Sequence, residues 1–263
     1  METKNNIFSW SRFALVYRKE VAEKWKTCLL AFIVVYGILT FLFIWFGWFF
    51  YENIEVFEDI NNRRSVSEFP FMTISIMTIA ALLLSTILGS FTFRKLRNKQ
   101  GRIADITLPA SQFEKFLVRW INVVVVFNLA LIVVYIFADA TRYLFLRLMF
   151  PEITSIDFVS VCKIFEVVAP IKQTLFWISF YFLQQALYIL GSALMPSYSY
   201  LKTYIIELVI GIAFLIMVSF QYEIFPRIGG LYPYTNELIV LTIVLWVLAY
   251  YSYKKTQVVY HLF

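Results

Sequence analysis

Histidine is almost absent from this chain, and cysteine is scarce. The 263 residues hold one histidine, His261, and two cysteines, Cys28 and Cys162. A single imidazole cannot build a zinc site by itself, and the H-E-x-x-H pattern is missing. Neither cysteine has a histidine placed to activate it. The glycine-rich G-x-x-x-x-G-K-[ST] loop that cradles phosphates does not occur, so ATP is not bound by that route. No G-x-S-x-G nucleophile turn is present. Charge is also low. Asp, Glu, Lys and Arg make up 15% of the residues, against about 25% in an ordinary soluble domain. Asp59, Asp105, Asp139 and Asp157 all fall outside the middle of any apolar run, which excludes intramembrane proteolysis by paired aspartates. No catalytic residue, metal or cofactor is therefore expected on this chain.

Apolar residues are what the sequence has in abundance. They make up 61% of it, with 28 Phe, 17 Tyr and 7 Trp. Crossing a hydrocarbon core about 30 Å thick takes roughly 20 apolar helical residues. Runs of that length lie near 27–50, 69–93, 120–138, 174–195, 203–222 and 237–253. The fold class expected is all-α, a polytopic membrane protein of six transmembrane helices, with 1–263 forming a single transmembrane domain. Long continuous runs mean helices and not a barrel, because a helix satisfies its own backbone hydrogen bonds in lipid.

Charge sets the expected orientation. Most of the 23 Lys and Arg precede the first span, lie between the second and third, or follow the sixth. Acidic residues gather in the opposite segments, among them Glu55, Glu58, Asp59, Glu152, Asp157 and Glu166. The positive-inside rule places both termini in the cytoplasm. The first span acts as its own targeting signal, since no small-x-small cleavage site follows it. Cys28 and Cys162 fall on opposite sides, so no internal disulfide is expected. The net charge of +6 is a topology signal, and no nucleic-acid partner is expected.

Between the runs, several local signals stand out. Over 7–26, Trp10, Phe13, Ala14, Tyr17, Val21 and Trp25 recur at helical steps, opposite Arg12, Lys19, Glu23 and Lys26. This pattern predicts an amphipathic helix lying in the interface, or a cytosolic extension of the first span. Residues 94–119 are the main cytoplasmic loop, with a short polar helix or turn around Arg102–Thr107. Ser111-Gln112-Phe113-Glu114 reads as a capping box, so a helix starts at Gln112 and runs into the third span. On the outer side, Asn61-Asn62 marks a turn, 158–168 a short helix, and Pro226, Gly229-Gly230 and Pro233 a broken loop.

Polar residues inside the runs have two readings. Asn122 and Asn128 suit interhelical hydrogen bonds. Gln184, Gln185 and Glu207 suit such bonds or a translocation path, and the sequence leaves both open. The aromatic residues near span ends, including Trp45, Trp48, Trp120 and Trp246, fit interfacial belts. A greasy cavity lined by Phe32, Phe41, Phe43 and Phe46 is the alternative.

With these features in place, the chain resembles the membrane (permease) subunit of a type-2 ABC exporter without a fused ATPase domain. The resemblance covers the N-terminal helix, the six spans and the structured loop after the second. The string Leu108–Trp120, LPASQFEKFLVRW, is similar to the start of the third helix in many permeases of Bacteroidetes type. The resemblance implies that Arg97–Leu108 is a coupling segment docking onto a separate ATP-binding subunit. Arg97, Arg102, Ile103, Asp105 and Thr107 would make the contacts, and ATP and Mg would sit on that partner. It further implies a second permease copy, identical or homologous, and alternating-access export of an amphiphilic or lipid-like substrate. The setting implied is a bacterial inner membrane. An ion-coupled carrier or channel, or a non-transporting membrane assembly factor, is the alternative.

Overall fold

The computed structural model describes residues 8–52, 65–151, 171–224 and 235–259. Their side chains are described over 8–49, 73–151, 174–212 and 235–255. The described residues are helical, with no strand among them. In chain order the helices are α1 (Trp10–Glu52), α2 (Ser65–Phe91), a 3-10 turn (Arg94–Arg97) and α3 (Lys99–Ile106). Next come α4 (Gln112–Ile121), a π-helical stretch (Asn122–Val126), α5 (Phe127–Met149), α6 (Ile171–Leu194), α7 (Ser199–Ile224) and α8 (Thr235–Val259).

Five helices among the described residues are long and apolar enough to cross a membrane. They contain the first, second, third, fourth and sixth expected runs. The fifth run lies in α7, a helix of 26 residues whose side chains are described only up to residue 212. Large apolar side chains such as Leu30, Phe41, Trp45, Leu129, Phe137 and Val240 lie exposed. A water-soluble monomer avoids such a surface, and lipid accepts it. The expected features at Asn61-Asn62, 158–168 and residues 226–233, together with Cys162 and His261, lie outside the described residues.

The N-terminal helix and the first span, expected as two elements, form one. α1 runs for 43 residues without interruption, about 64 Å at 1.5 Å per residue. No Pro or Gly occurs before Gly37 to stop it, and ion pairs at Lys19–Glu23 (3.7 Å) and Glu20–Lys24 (2.5 Å) support the turns ahead of the apolar run. Along its apolar stripe Phe13 is buried, while Trp10, Val21 and Trp25 are exposed.

The described residues group into two compact units. The first draws on Met1–Arg18, Leu82–Val124 and Pro170–Phe263. Its core gathers Phe93, Leu96, Phe116, Ile189, Ala193, Ala249 and Tyr253. Helices α6 and α8 make its most extensive packing. Trp120 meets Trp246 edge to face at 5.0 Å between ring centroids. The helices come close where glycine permits: a Cβ on Gly89 would stand 3.0 Å from that of Tyr188, and one on Gly191 would overlap the Thr203 side chain.

The second unit draws on Lys19–Ala81 and Val125–Ala169. Its core joins Leu39 and Phe43 of α1 to Val134, Tyr135 and Ala138 of α5, with Ile76 and Met77 of α2 against them. Phe43 is thus a core residue in edge-to-face contact with Tyr135, whereas Phe41 is exposed. These two do not line one cavity. The Tyr36 and Thr141 hydroxyls share a hydrogen bond of 2.8 Å. Asp139 and Arg142 form a fully buried pair at 2.6 Å.

Candidate functional site

Helix α3 and the start of α4 carry the residues expected to couple the chain to a partner. Gly101 lets α3 follow the 3-10 turn closely, since a Cβ there would overlap the Lys95 backbone carbonyl. Thr107 ends α3, its amide bonding to the Ile103 carbonyl at 2.9 Å and its hydroxyl to that of Ala104 at 3.2 Å. Ile103 is 61% exposed, and Ala104, Ile106 and Thr107 are exposed beside it. Arg102 is half-buried. Arg97 is exposed, with its guanidinium 4.9 Å from the centre of the Tyr198 ring.

Asp105 departs from expectation. It was placed among the docking contacts, but it is buried at 3% exposure. Its carboxylate pairs with Arg119 and accepts a 2.8 Å hydrogen bond from the Tyr253 hydroxyl. Its backbone carbonyl accepts from the Lys115 ammonium. Arg119 lies against both the Phe93 and Tyr253 rings, at 5.6 and 5.4 Å from their centres. A helix of eight residues with one exposed side buries its one acid on the other, where Arg119 of α4 neutralises the carboxylate and Lys115 holds the backbone carbonyl. Asp105 therefore fastens α3 to α4 and α8 and is not offered to a partner. Exchanging it for Lys would break the protein's own core.

The capping box at the start of α4 is formed. The Glu114 amide donates to Ser111 Oγ (3.1 Å), and the Ser111 amide donates to Glu114 Oε2 (2.8 Å). The second carboxylate oxygen, Oε1, accepts from the Ser9 amide (2.7 Å) and Arg12 Nη2 (3.2 Å). A local cap thus also anchors the start of α1, and Phe8 lies against Phe113 at 6.5 Å.

A second polar group lies within the apolar helices. The π-helical stretch shifts the backbone hydrogen bonds by one residue, and the Val123 carbonyl accepts from Gln185 Nε2 at 3.1 Å. Gln185 is fully buried, and its own oxygen has no hydrogen-bond partner. One helical face away, Glu207 accepts from Gln184 and from the Tyr188 hydroxyl, the latter at 2.7 Å. Glu207 lies eight residues past the first residue of α7, about 12 Å along the helix. The structure therefore brings Gln184 and Tyr188 together on the Glu207 carboxylate and aims Gln185 at a different partner.

Lys115, Arg119 and Tyr253 are the residues sequence reasoning missed. Tyr253 stands 148 positions from Asp105, and no local pattern joins them. The available signal was the pair of cations on one face of α4, Lys115 and Arg119, at a spacing of four. Among the described residues no three His, Cys, Asp or Glu side chains gather as a metal site would need. The chain matches no family model, no curated protein and no solved structure.

Proposed function

We propose that the chain is the membrane-spanning permease subunit of an ATP-driven exporter of the type-2 ABC kind. In this reading six helices cross the membrane, α7 being the fifth, and both termini face the cytoplasm. A separate subunit hydrolyses ATP, and a second permease copy completes the transport unit. The observation that carries the reading is α3: a short helix outside the apolar runs, with an exposed Ile103–Thr107 edge and a buried Asp105 anchor. Such a helix transmits force, because a push on its outer edge is passed to α4 through a buried charge pair and to α8 through the Tyr253 hydrogen bond, and not lost in a flexible loop. α4 continues without a break into the 38-residue helix Gln112–Met149. ATP-driven closure of the partner would displace α3 and with it this long helix, switching access from one side to the other.

Glu207 with Gln184 and Tyr188 is the polar group on the substrate path in this reading, and an amphiphile with an uncharged or cationic polar end suits a lone carboxylate. Gln185 serves the backbone of the third span. The same carboxylate is what an ion-coupled carrier would use, and it is the one observation favouring that second reading. The two are separated by photo-crosslinking from position 103. A permease captures a soluble ATPase bearing a G-x-x-x-x-G-K-[ST] loop, and transport needs ATP. A carrier captures none, and transport follows the proton or sodium gradient.

A further inference from the structure

The 3-10 turn at Arg94–Arg97 and the start of α7 line a cavity of about 240 Å³, into which the structure draws Arg97, away from the exposed edge of α3. Arg94 and Arg97 both line it. Each guanidinium lies over an aromatic face, Arg94 over Phe91 at 5.1 Å and Arg97 over Tyr198 at 4.9 Å. Among the described residues neither arginine forms an ion pair. A guanidinium held over an aromatic ring by cation–π attraction still has N–H groups to donate.

The backbone adds donors from the other wall. The first hydrogen bond of α7 runs from the Lys202 amide to the Tyr198 carbonyl at 3.2 Å. The amides of Ser199, Tyr200 and Leu201 precede it and have no partner within the helix, and all three residues line the cavity. Tyr198 adopts a left-handed backbone, with φ of 55°, which turns the chain sharply into the helix. Aligned peptide dipoles favour negative charge at this end. Independently, Ser199 is only 6% exposed and its hydroxyl has no hydrogen-bond partner. A buried hydroxyl left unbonded is costly, and a ligand acceptor removes that cost.

We propose that this cavity binds a phosphate group, that of an anionic phospholipid seated where α2 ends and α7 begins. The phosphate oxygens accept from both guanidinium groups, the Ser199 hydroxyl and the first amides of α7. Phe91 and Leu201, 48% and 61% exposed at the same opening, offer apolar surface to the acyl chains. The level of the site is that of lipid headgroups, since the apolar helices end there, and basic pockets at that level hold anionic lipids. Free phosphate shares the headgroup chemistry but has no use for the apolar lips.

The test is native mass spectrometry of the delipidated full-length protein titrated with phosphatidic acid, diacylglycerol or inorganic phosphate. Wild type is expected to bind phosphatidic acid saturably and diacylglycerol not at all. Arg94→Gln with Arg97→Gln should weaken phosphatidic acid about fivefold per arginine, roughly 25-fold for both. Ser199→Ala, which removes a donor and no charge, should weaken it about fivefold. Arg94→Lys with Arg97→Lys, which keeps charge but loses the planar fork, should fall between wild type and the Gln pair, and it serves if that pair fails to fold. Equal binding of phosphatidic acid by wild type and the arginine variants, or equal binding of diacylglycerol, overturns the proposal. Saturable inorganic phosphate that phosphatidic acid does not displace overturns the lipid assignment.

Discussion

Removing the charge from Asp105 leaves the Arg119 guanidinium buried without its counter-ion, and single-partner losses of this kind cost about 3–5 kcal/mol. Asp105→Asn keeps the shape and an acceptor for the Tyr253 hydroxyl, so the charge alone is tested. A large fall in the thermal unfolding midpoint in detergent is expected. An unchanged midpoint would mean that α3 is not held by this pair. Ile103→Asp makes the opposite prediction. At 61% exposure the side chain supports nothing inside the chain, so stability should stay within about 0.5 kcal/mol of wild type, while the permease proposal predicts that capture of an ATPase subunit is lost. Gly101→Ala brings a Cβ onto the Lys95 backbone carbonyl, which cannot swing aside as a side chain would. The same unfolding assay should register a cost of about 1–3 kcal/mol for this overpacking. Within the apolar helices, Gln185→Met removes the Nε2 hydrogen bond to the Val123 carbonyl at nearly constant volume. A loss of about 0.5–1.5 kcal/mol is expected for that bond in the same unfolding assay.

At the scale of elements, the readable features were those written in local spacing. The S-Q-F-E cap named the first residue of α4 because both halves of the box lie within four positions. α5 runs past the apolar stretch 120–138 to Met149, two residues before Pro151, since proline cannot continue a helix. α3 was legible as a short polar helix from its position between apolar runs, but its inward face was not. Within α3 only Gly101 and Arg102 stand at helical spacing from Asp105, so no apolar neighbour in the helix marks it as buried, and its partners come from α4 and from Tyr253 far along the chain. The continuity of α1 was legible only as one of two readings. Amphipathic spacing says which face of a helix is apolar and nothing about where one helix stops, and residues 26–27 carry no stop signal. The π-helical stretch is not legible because four consecutive valines, 123–126, encode no register, and the glutamine that bonds to its Val123 carbonyl lies on α6.

For the whole molecule, the account is that force enters at the exposed edge of α3 and leaves as motion of a long helix through the membrane. The length of the apolar runs and the asymmetry of charge were plain in the sequence, because lipid imposes both on any chain that crosses it. What passes through was not, since a substrate path is made of contacts between helices and not of spacing along one. The most direct test of the central claim is to purify the tagged chain from its native cells in mild detergent and identify what accompanies it by mass spectrometry, for wild type and for Ile103→Asp. The account predicts a stoichiometric soluble protein with a G-x-x-x-x-G-K-[ST] loop alongside wild type, lost from the Ile103→Asp variant while the membrane chain remains intact. An intact wild-type chain that brings no ATPase, even after crosslinking, would contradict it.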